Sequence, residues 1–299
     1  TLEHPASMSA MKKWAKNTRR NHIIVEHNDD SGSVDEQAYI EKLTSDVRVV
    51  SIVHTSPVTG MTVDLEKITK EVRNVTPDCI IIVDGIQHSS HGAIDVQKYD
   101  IDGYVVSPYK MFSRHGYGVA WASERLCTLN KEQLADGPFQ NWELGTRDAG
   151  SYATFSDVVD YLDWLGSNFT ESENTRERLE ASSIAIKSHE QELVDLVING
   201  AEDIVGLRNN KKIRIIGNPA STSREGVVSF FHKNKPSRII VEELRQRKIR
   251  VHIRKDDHYC GNILRPLNQK DCIRFSICHY NSKAEVVEFM KAINEISAN

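Results

Sequence analysis

The 299-residue chain predicts an α/β protein, with a large domain on a mostly parallel sheet and a smaller C-terminal α/β domain. Three observations carry the prediction. Short apolar runs alternate with amphipathic stretches through the first half. Two of the runs, residues 79–83 and 103–106, lead straight into polar residues, as a buried parallel strand does when it delivers side chains to a ligand at its carboxyl end. Helical spacing then takes over from Ser156, and strand–helix alternation resumes in the last third.

In order along the chain, residues 22–26, 47–54, 79–83, 103–106 and 119–122 read as strands. Helices are expected at 35–43 and 63–72, between them. Val158, Val159, Tyr161, Leu162 and Leu165 recur at helical spacing behind Ser156 and Asp157, which suit an N-cap. A longer helix over about 171–198 is polar on one face and is expected to bridge two lobes. In the last third, strands are expected at 213–216, 227–231, 249–253 and 272–278, and helices at 238–247 and 283–296. The predicted division is a large domain over 1–170, a bridge over 171–203 and a small domain over 204–299.

Composition narrows the function classes. With 39% hydrophobic and 27% charged residues the chain suits a globular protein. A net charge of −4 gives no electrostatic case for nucleic acid or a membrane surface, and no apolar stretch approaches a membrane span. Five scattered cysteines without a C-x-x-C pair indicate neither a disulfide framework nor a zinc site and suit a reducing compartment. The expected location is cytoplasmic. The opening Thr1-Leu2-Glu3-His4 has no initiator methionine, so sequence upstream is expected, and an organelle stays open.

The chemistry centres on Lys110. Asp84 closes one apolar run and Gln87 follows it by three; Ser107 closes the other, three residues before Lys110. An acid, an amide, a hydroxyl and an amine suit a cofactor cationic at one end, anionic at the other and bearing an aldehyde, which describes pyridoxal phosphate. Asp84 would keep the pyridine nitrogen protonated, Lys110 would form the Schiff base, and Ser107 would donate to the phosphate. Taken singly, each has a plainer reading: a turn-capping aspartate and an exposed lysine after a strand. Arg274, in the apolar run 272–277, needs an anionic partner, which a substrate carboxylate or a structural acid would supply. His88 and His91 lack a third metal ligand at a fitting spacing and read as pocket or turn residues; no metal is expected.

These residues also carry a resemblance. Val83-Asp84-Gly85-x-Gln87, His91-Gly92-x-Ile94-Asp95-Val96 and Ser107-x-x-Lys110, in that order, resemble the class V aminotransferase fold group. The nearest branch is the cysteine desulfurase and selenocysteine lyase group, and Tyr109-Lys110-Met111-Phe112 with His279-Tyr280-Asn281-Ser282 resemble its desulfurase-like subfamily. The resemblance implies the aspartate aminotransferase-like fold of pyridoxal-phosphate-dependent transferases. It implies that His4 stacks on the pyridine ring, with a frayed terminus as the competing reading. It implies that Gln87 holds the phenolic oxygen and Arg274 the substrate carboxylate. Thr146, in Trp142-Glu143-Leu144-Gly145-Thr146, would reach the phosphate of a neighbouring subunit, which implies a homodimer with shared active sites, against an ordinary turn.

Cys260, in His258-Tyr259-Cys260, matches the loop that carries the persulfide-forming nucleophile in one branch of the group. That role needs a mobile, partly exposed thiol of lowered pKa, with Arg254, Lys255 and His258 as the nearby cations. Lys255-Asp256-Asp257 departs from that loop, and the related subfamily often has no cysteine there, so both readings of Cys260 stay open. Pro57 stands where the group often has an asparagine, Tyr109 stands where desulfurases have a histidine, and the phosphate-cradling loop would lie upstream. The implied function is a pyridoxal-phosphate enzyme that cleaves C–S or C–Se bonds of an α-amino acid, giving alanine, with a sulfur-acceptor protein as a further partner. Epimerisation, β-elimination and transamination share its first steps, and an inert or truncated binding relative is the reading outside enzymology.

Overall fold

The computed structural model describes residues 1–138, 142, 144–201, 203–220 and 222–298. The chain folds as two compact units that interleave in sequence. One takes Leu43–His54 and Leu65–Ser183; the other takes Thr1–Lys42, Thr55–Asp64 and Ile184–Asn299. The 1–170 block thus contributes to both units, and the helix Thr175–Asn199 passes from one to the other at residue 184.

The first unit is built on β1 (Val49–Val53), β2 (Ile80–Asp84), β3 (Gly103–Val106) and β4 (Val119–Ala122), ordered β1-β2-β3-β4. The first three run parallel; β4 returns antiparallel against β3. Ile52, Ile81 and Val83 are fully buried, as β-branched residues in a central parallel sheet are. The helix Leu65–Val75 joins β1 to β2 and buries Leu65, Ile68, Thr69 and Val72, an i, i+3, i+4, i+7 stripe. At the amino ends of the strands, buried Asp102 accepts from Ile81 N at 2.9 Å, Arg73 Nη2 at 2.9 Å and Arg125 Nε at 2.7 Å. That cluster fixes the start of β3 and leaves the carboxyl ends for chemistry.

The second unit carries an antiparallel sheet. With a two-stranded hairpin of β5 (Gly200–Ala201) and β6 (Ile204–Val205) preceding it, the strands are β7 (Ile213–Ile215), β8 (Val227–His232), β9 (His252–Lys255) and β10 (Asp271–Ser276), ordered β7-β8-β10-β9. Val228, Phe230 and Ile273 join Ile240 and Leu244 of the helix Ser237–Gln246 and Phe289 and Ile293 of the helix Lys283–Ala298 in one core. Residues 55–64 are strapped to this sheet: the carbonyls of Pro57, Val58 and Thr59 accept from Arg274, Ser229 and Arg224 respectively. Arg224 is buried and bonds only to carbonyls among the described residues, and burial lowers its guanidinium to about 10.

Two expectations are corrected, and one helix is added. Residues 22–26 form no strand; Ile23 and Ile24 are exposed and no described ladder includes them. The strand expected at 249–253 starts only at His252, because Lys248, at φ 65°, and the bond Ile249 N to Leu244 O use the preceding residues to end a helix. A helix Pro5–Thr18, unforeseen, is capped by His4, whose Nδ1 accepts from Ala6 N at 3.1 Å.

Candidate active site

In the first unit the sheet register brings the predicted residues to one edge. Val53 pairs with Asp84 and Asp84 with Val105, so His54, Asp84 and the Val106–Ser107 step emerge at adjacent carboxyl ends of β1, β2 and β3. Main-chain bonds lock the row: His54 N donates to Asp84 O at 2.9 Å and Gly85 N to Val105 O at 3.0 Å. The Asp84 carboxylate accepts from Ile86 N through Oδ1 at 3.1 Å, which turns the chain out of β2.

Two short 3-10 turns then carry the reactive groups. Gln87 precedes the turn His88–Ser90, and Ser107 precedes the turn Pro108–Met111, which contains Lys110. Proline at the first position of the second turn presets its φ. Phe112 ends it at φ 70°, a left-handed conformation uncommon outside glycine. The turns meet where Lys110 Nζ donates to Gln87 Oε1 at 2.9 Å. The Ser107 hydroxyl makes no capping bond to this turn.

Next to this pair lies a buried aromatic group, of which the sequence reading singled out His88 and His91 as pocket or turn residues and missed His54 and Tyr104. The rings of His54 and His88 stack at 3.6 Å, and His54 Nδ1 lies 2.8 Å from the Tyr104 hydroxyl. His88 Nε2 reaches Ala93 O at 3.1 Å, and His91 Nε2 lies 3.0 Å from Gln87 Nε2. Gly85 makes room: a Cβ there would stand 2.1 Å from the Tyr104 ring. The signal available in the sequence was four polar aromatics: His54 just after a strand, His88 and His91 just after Gln87, and Tyr104 inside a strand. No group of three metal-ligating side chains occurs among the described residues.

The donor set fits pyridoxal phosphate in chemical kind. An amine, a carboxylate, an amide and a hydroxyl leave the ends of adjacent strands, where an aldehyde, a pyridinium, a phenolate and a phosphate need them. Thr146 is exposed, close before the helix Ala149–Gly166.

The other candidates lie in the second unit. Arg274, on β10, donates from Nη1 to Pro57 O at 3.0 Å. The His4 ring stands 5.4 Å from that of Tyr259 at 52°. Cys260 departs from the exposed, acidic thiol that a persulfide-forming role requires: it is 2% exposed, and burial pushes its thiol up, with Asp257 adding to the rise and Arg254 and Arg274 only partly opposing it. Asp257 orders this loop by accepting from Tyr259 N at 2.8 Å and Cys260 N at 3.2 Å.

Comparison with known proteins places the chain in a family and shows its fold. The family described as Aminotransferase class-V matches residues 1–289. A probable cysteine desulfurase of Pseudomonas putida is 24% identical over 98% of this chain and 69% of its own. The apo structure of a cysteine desulfurase from Thermococcus onnurineus superposes with a TM-score of 0.79 at 20% identity, covering 99% of this chain and 71% of that one. A structure of C-DES with glycine covalently linked to the PLP-cofactor superposes with a TM-score of 0.70 at 17% identity, covering 97% and 71%. The chain therefore spans about 70% of these relatives' length.

Proposed function

Because the chain belongs to the class V aminotransferase family, whose cofactor is pyridoxal phosphate, we propose that it acts on an α-amino acid in the manner of a cysteine desulfurase, cleaving C–S or C–Se and releasing alanine. The observation that carries this reading is the approach of Lys110 Nζ to Gln87 Oε1, beside the strand end that bears Asp84.

Bound pyridoxal phosphate supplies an aldehyde that takes amines covalently and a protonated ring that withdraws electrons from the α-carbon. The residues of the chain do the rest. Lys110 would hold the cofactor at its aldehyde carbon, and its free amine would move a proton at the substrate α-carbon. The Asp84 carboxylate holds the proton on the ring nitrogen. Gln87 orients the phenolic oxygen, and Ser107 holds the phosphate through its hydroxyl. Thr146 would do so across a homodimer, and the family resemblance gives His4 the role that would stack on the ring and Arg274 the role that would take the substrate carboxylate. A reducing compartment such as the cytoplasm suits the five free cysteines. Among the described residues no helix is long and apolar enough to cross a membrane.

The burial of Cys260 favours a second reading, β-elimination, in which the sulfur leaves as sulfide with no persulfide on the enzyme and the carbon fragment ends as pyruvate and ammonia instead of alanine. One experiment tests both levels. The chain is loaded with pyridoxal phosphate and its visible absorbance recorded, then alanine, pyruvate and sulfide are measured from cysteine with a thiol reductant present. A visible band that Lys110→Ala abolishes supports the cofactor reading; a colourless chain in excess cofactor overturns it. Loss of sulfide release in Cys260→Ala supports the persulfide route, and an unchanged rate supports elimination.

A further inference from the structure

Gln87 is engaged on both edges of its amide, which dictates the state of a residue given no role so far. Oε1 takes the Lys110 amine at 2.9 Å, and Nε2 stands 3.0 Å from His91 Nε2. Gln87 and His91 flank the two ends of the turn His88–Ser90, and His91 N donates to His88 O at 2.8 Å, so the backbone sets their separation. Gln87 is 9% exposed and His91 3%, which leaves water little access to either group.

Donor and acceptor rules then decide the arrangement. An amide oxygen only accepts and an amide nitrogen only donates. With the oxygen turned to the lysine, the nitrogen must donate to His91, whose Nε2 must offer a lone pair. His91 is therefore neutral, with its proton on Nδ1. The reverse tautomer would face N–H with N–H, and relief would require the amide to turn over, bringing its NH2 against the donors of the lysine amine. An unmatched buried donor is the expensive outcome on either path.

We propose that His91 is a positioning residue for Lys110: as the Nδ1–H tautomer it fixes the direction of the Gln87 amide, so that the oxygen and not the NH2 meets the lysine. Its importance for reaction rests on Lys110 being the cofactor-binding amine; the tautomer itself does not. If pyridoxal phosphate failed to colour the protein, the function would fall and the tautomer would still be read.

The test uses the full 299-residue chain, labelled with 15N histidine and without added pyridoxal phosphate. Long-range 1H–15N correlation reports which ring nitrogen carries the proton, and the His91 signals are those missing from His91→Gln. A protonated Nδ1 and a bare Nε2 are expected; a proton on Nε2 overturns the proposal. Reactivity of Lys110 toward an amine-directed acylating reagent, read by mass spectrometry, gives a second measure. His91→Gln offers an oxygen near the place of Nε2 and is expected to keep the rate within about two-fold, whereas His91→Leu offers no acceptor and shifts it by about five-fold or more. Equal rates in all three proteins would overturn the proposal even where the spectrum is too crowded to assign.

Discussion

Arg274 Nη1 and the carbonyl oxygen of Pro57 meet at 3.0 Å, joining a strand to a residue 217 positions earlier in the chain. The contact uses backbone on one side and guanidinium on the other. The neighbouring carbonyls are held the same way, Val58 by Ser229 and Thr59 by Arg224, so the strap 55–64 is a fixed edge against which Arg274 is set. Arg274→Lys keeps the charge and loses the planar fork that grips a carboxylate. Its expected effect is a rise in KM for the amino acid of about ten-fold or more, with a smaller change in kcat, since a carboxylate held alike in ground and transition states contributes uniform binding. Pro57→Ala leaves the carbonyl in place, so KM should stay within about three-fold. Steady-state kinetics on the two variants separates the cases; equal effects would mean that the proline ring, and not its oxygen, matters.

Asp84→Asn makes a sharper demand on the ring-nitrogen role. The amide oxygen still accepts from Ile86 N, where Oδ1 now sits 3.1 Å away, so the turn out of β2 survives. What is lost is the negative charge that, in the proposed role, would keep a bound pyridine nitrogen protonated. Turnover should fall by about 100-fold or more, while urea unfolding moves little. A kinetically silent Asp84→Asn would assign the aspartate to the turn alone.

Much of this site was legible because its strands announce their own ends. Residues 103–106 and 119–122 are strands with the expected bounds, and β2 runs one residue past its apolar run because Asp84 still pairs through its backbone. Lys110 and Gln87, read from the sequence in separate roles, are joined by a hydrogen bond. What stayed hidden depends on contacts across the sheet. The stacking of His54 on His88 joins residues that meet only because β1 and β2 are parallel neighbours. The false strand at 22–26 shows the converse: three apolar residues in a row satisfy a local pattern, but a strand exists only where a ladder receives it. The helix Pro5–Thr18 had a legible start, His4 then proline, but only Ala15 of its residues is buried, so its apolar periodicity was faint.

Asp102 gives stability a direction in pH. Burial by itself would raise its carboxyl, but the bond from Ile81 N and the guanidinium groups of Arg73 and Arg125 outweigh that and hold it below the ordinary 3.8. A lowered folded-state value means that the unfolded chain binds the proton more readily, so stability rises with pH through this window. The contribution is fully present above the unfolded value and is lost as pH falls through the lower folded one. Asp102→Asn, which leaves the Arg73 guanidinium against a neutral partner, should cost about 3–5 kcal/mol near neutrality. The gap between wild type and variant should narrow below about pH 4. Urea midpoints across pH 3–7 measure it; a gap independent of pH would remove the ionised carboxylate from the account.

The cysteines make the last prediction, because burial and reactivity point the same way. Cys79, Cys260 and Cys272 are buried, and burial raises each thiol, Cys272 to about 12. A thiol is attacked as its thiolate, so a raised pKa and a covered sulfur both slow alkylation. Cys127 is the contrasting case, half-buried next to the exposed run from Thr128 onward. Iodoacetamide at pH 7.5 should therefore label Cys127 first, with Cys260 and Cys272 lagging by about ten-fold or more until denaturant is added. Peptide mass spectrometry over a time course reads the order. Rapid labelling of Cys260 in the native chain would show that its loop, Asp257 cap included, opens often enough to present the thiol, and the persulfide route would regain its nucleophile.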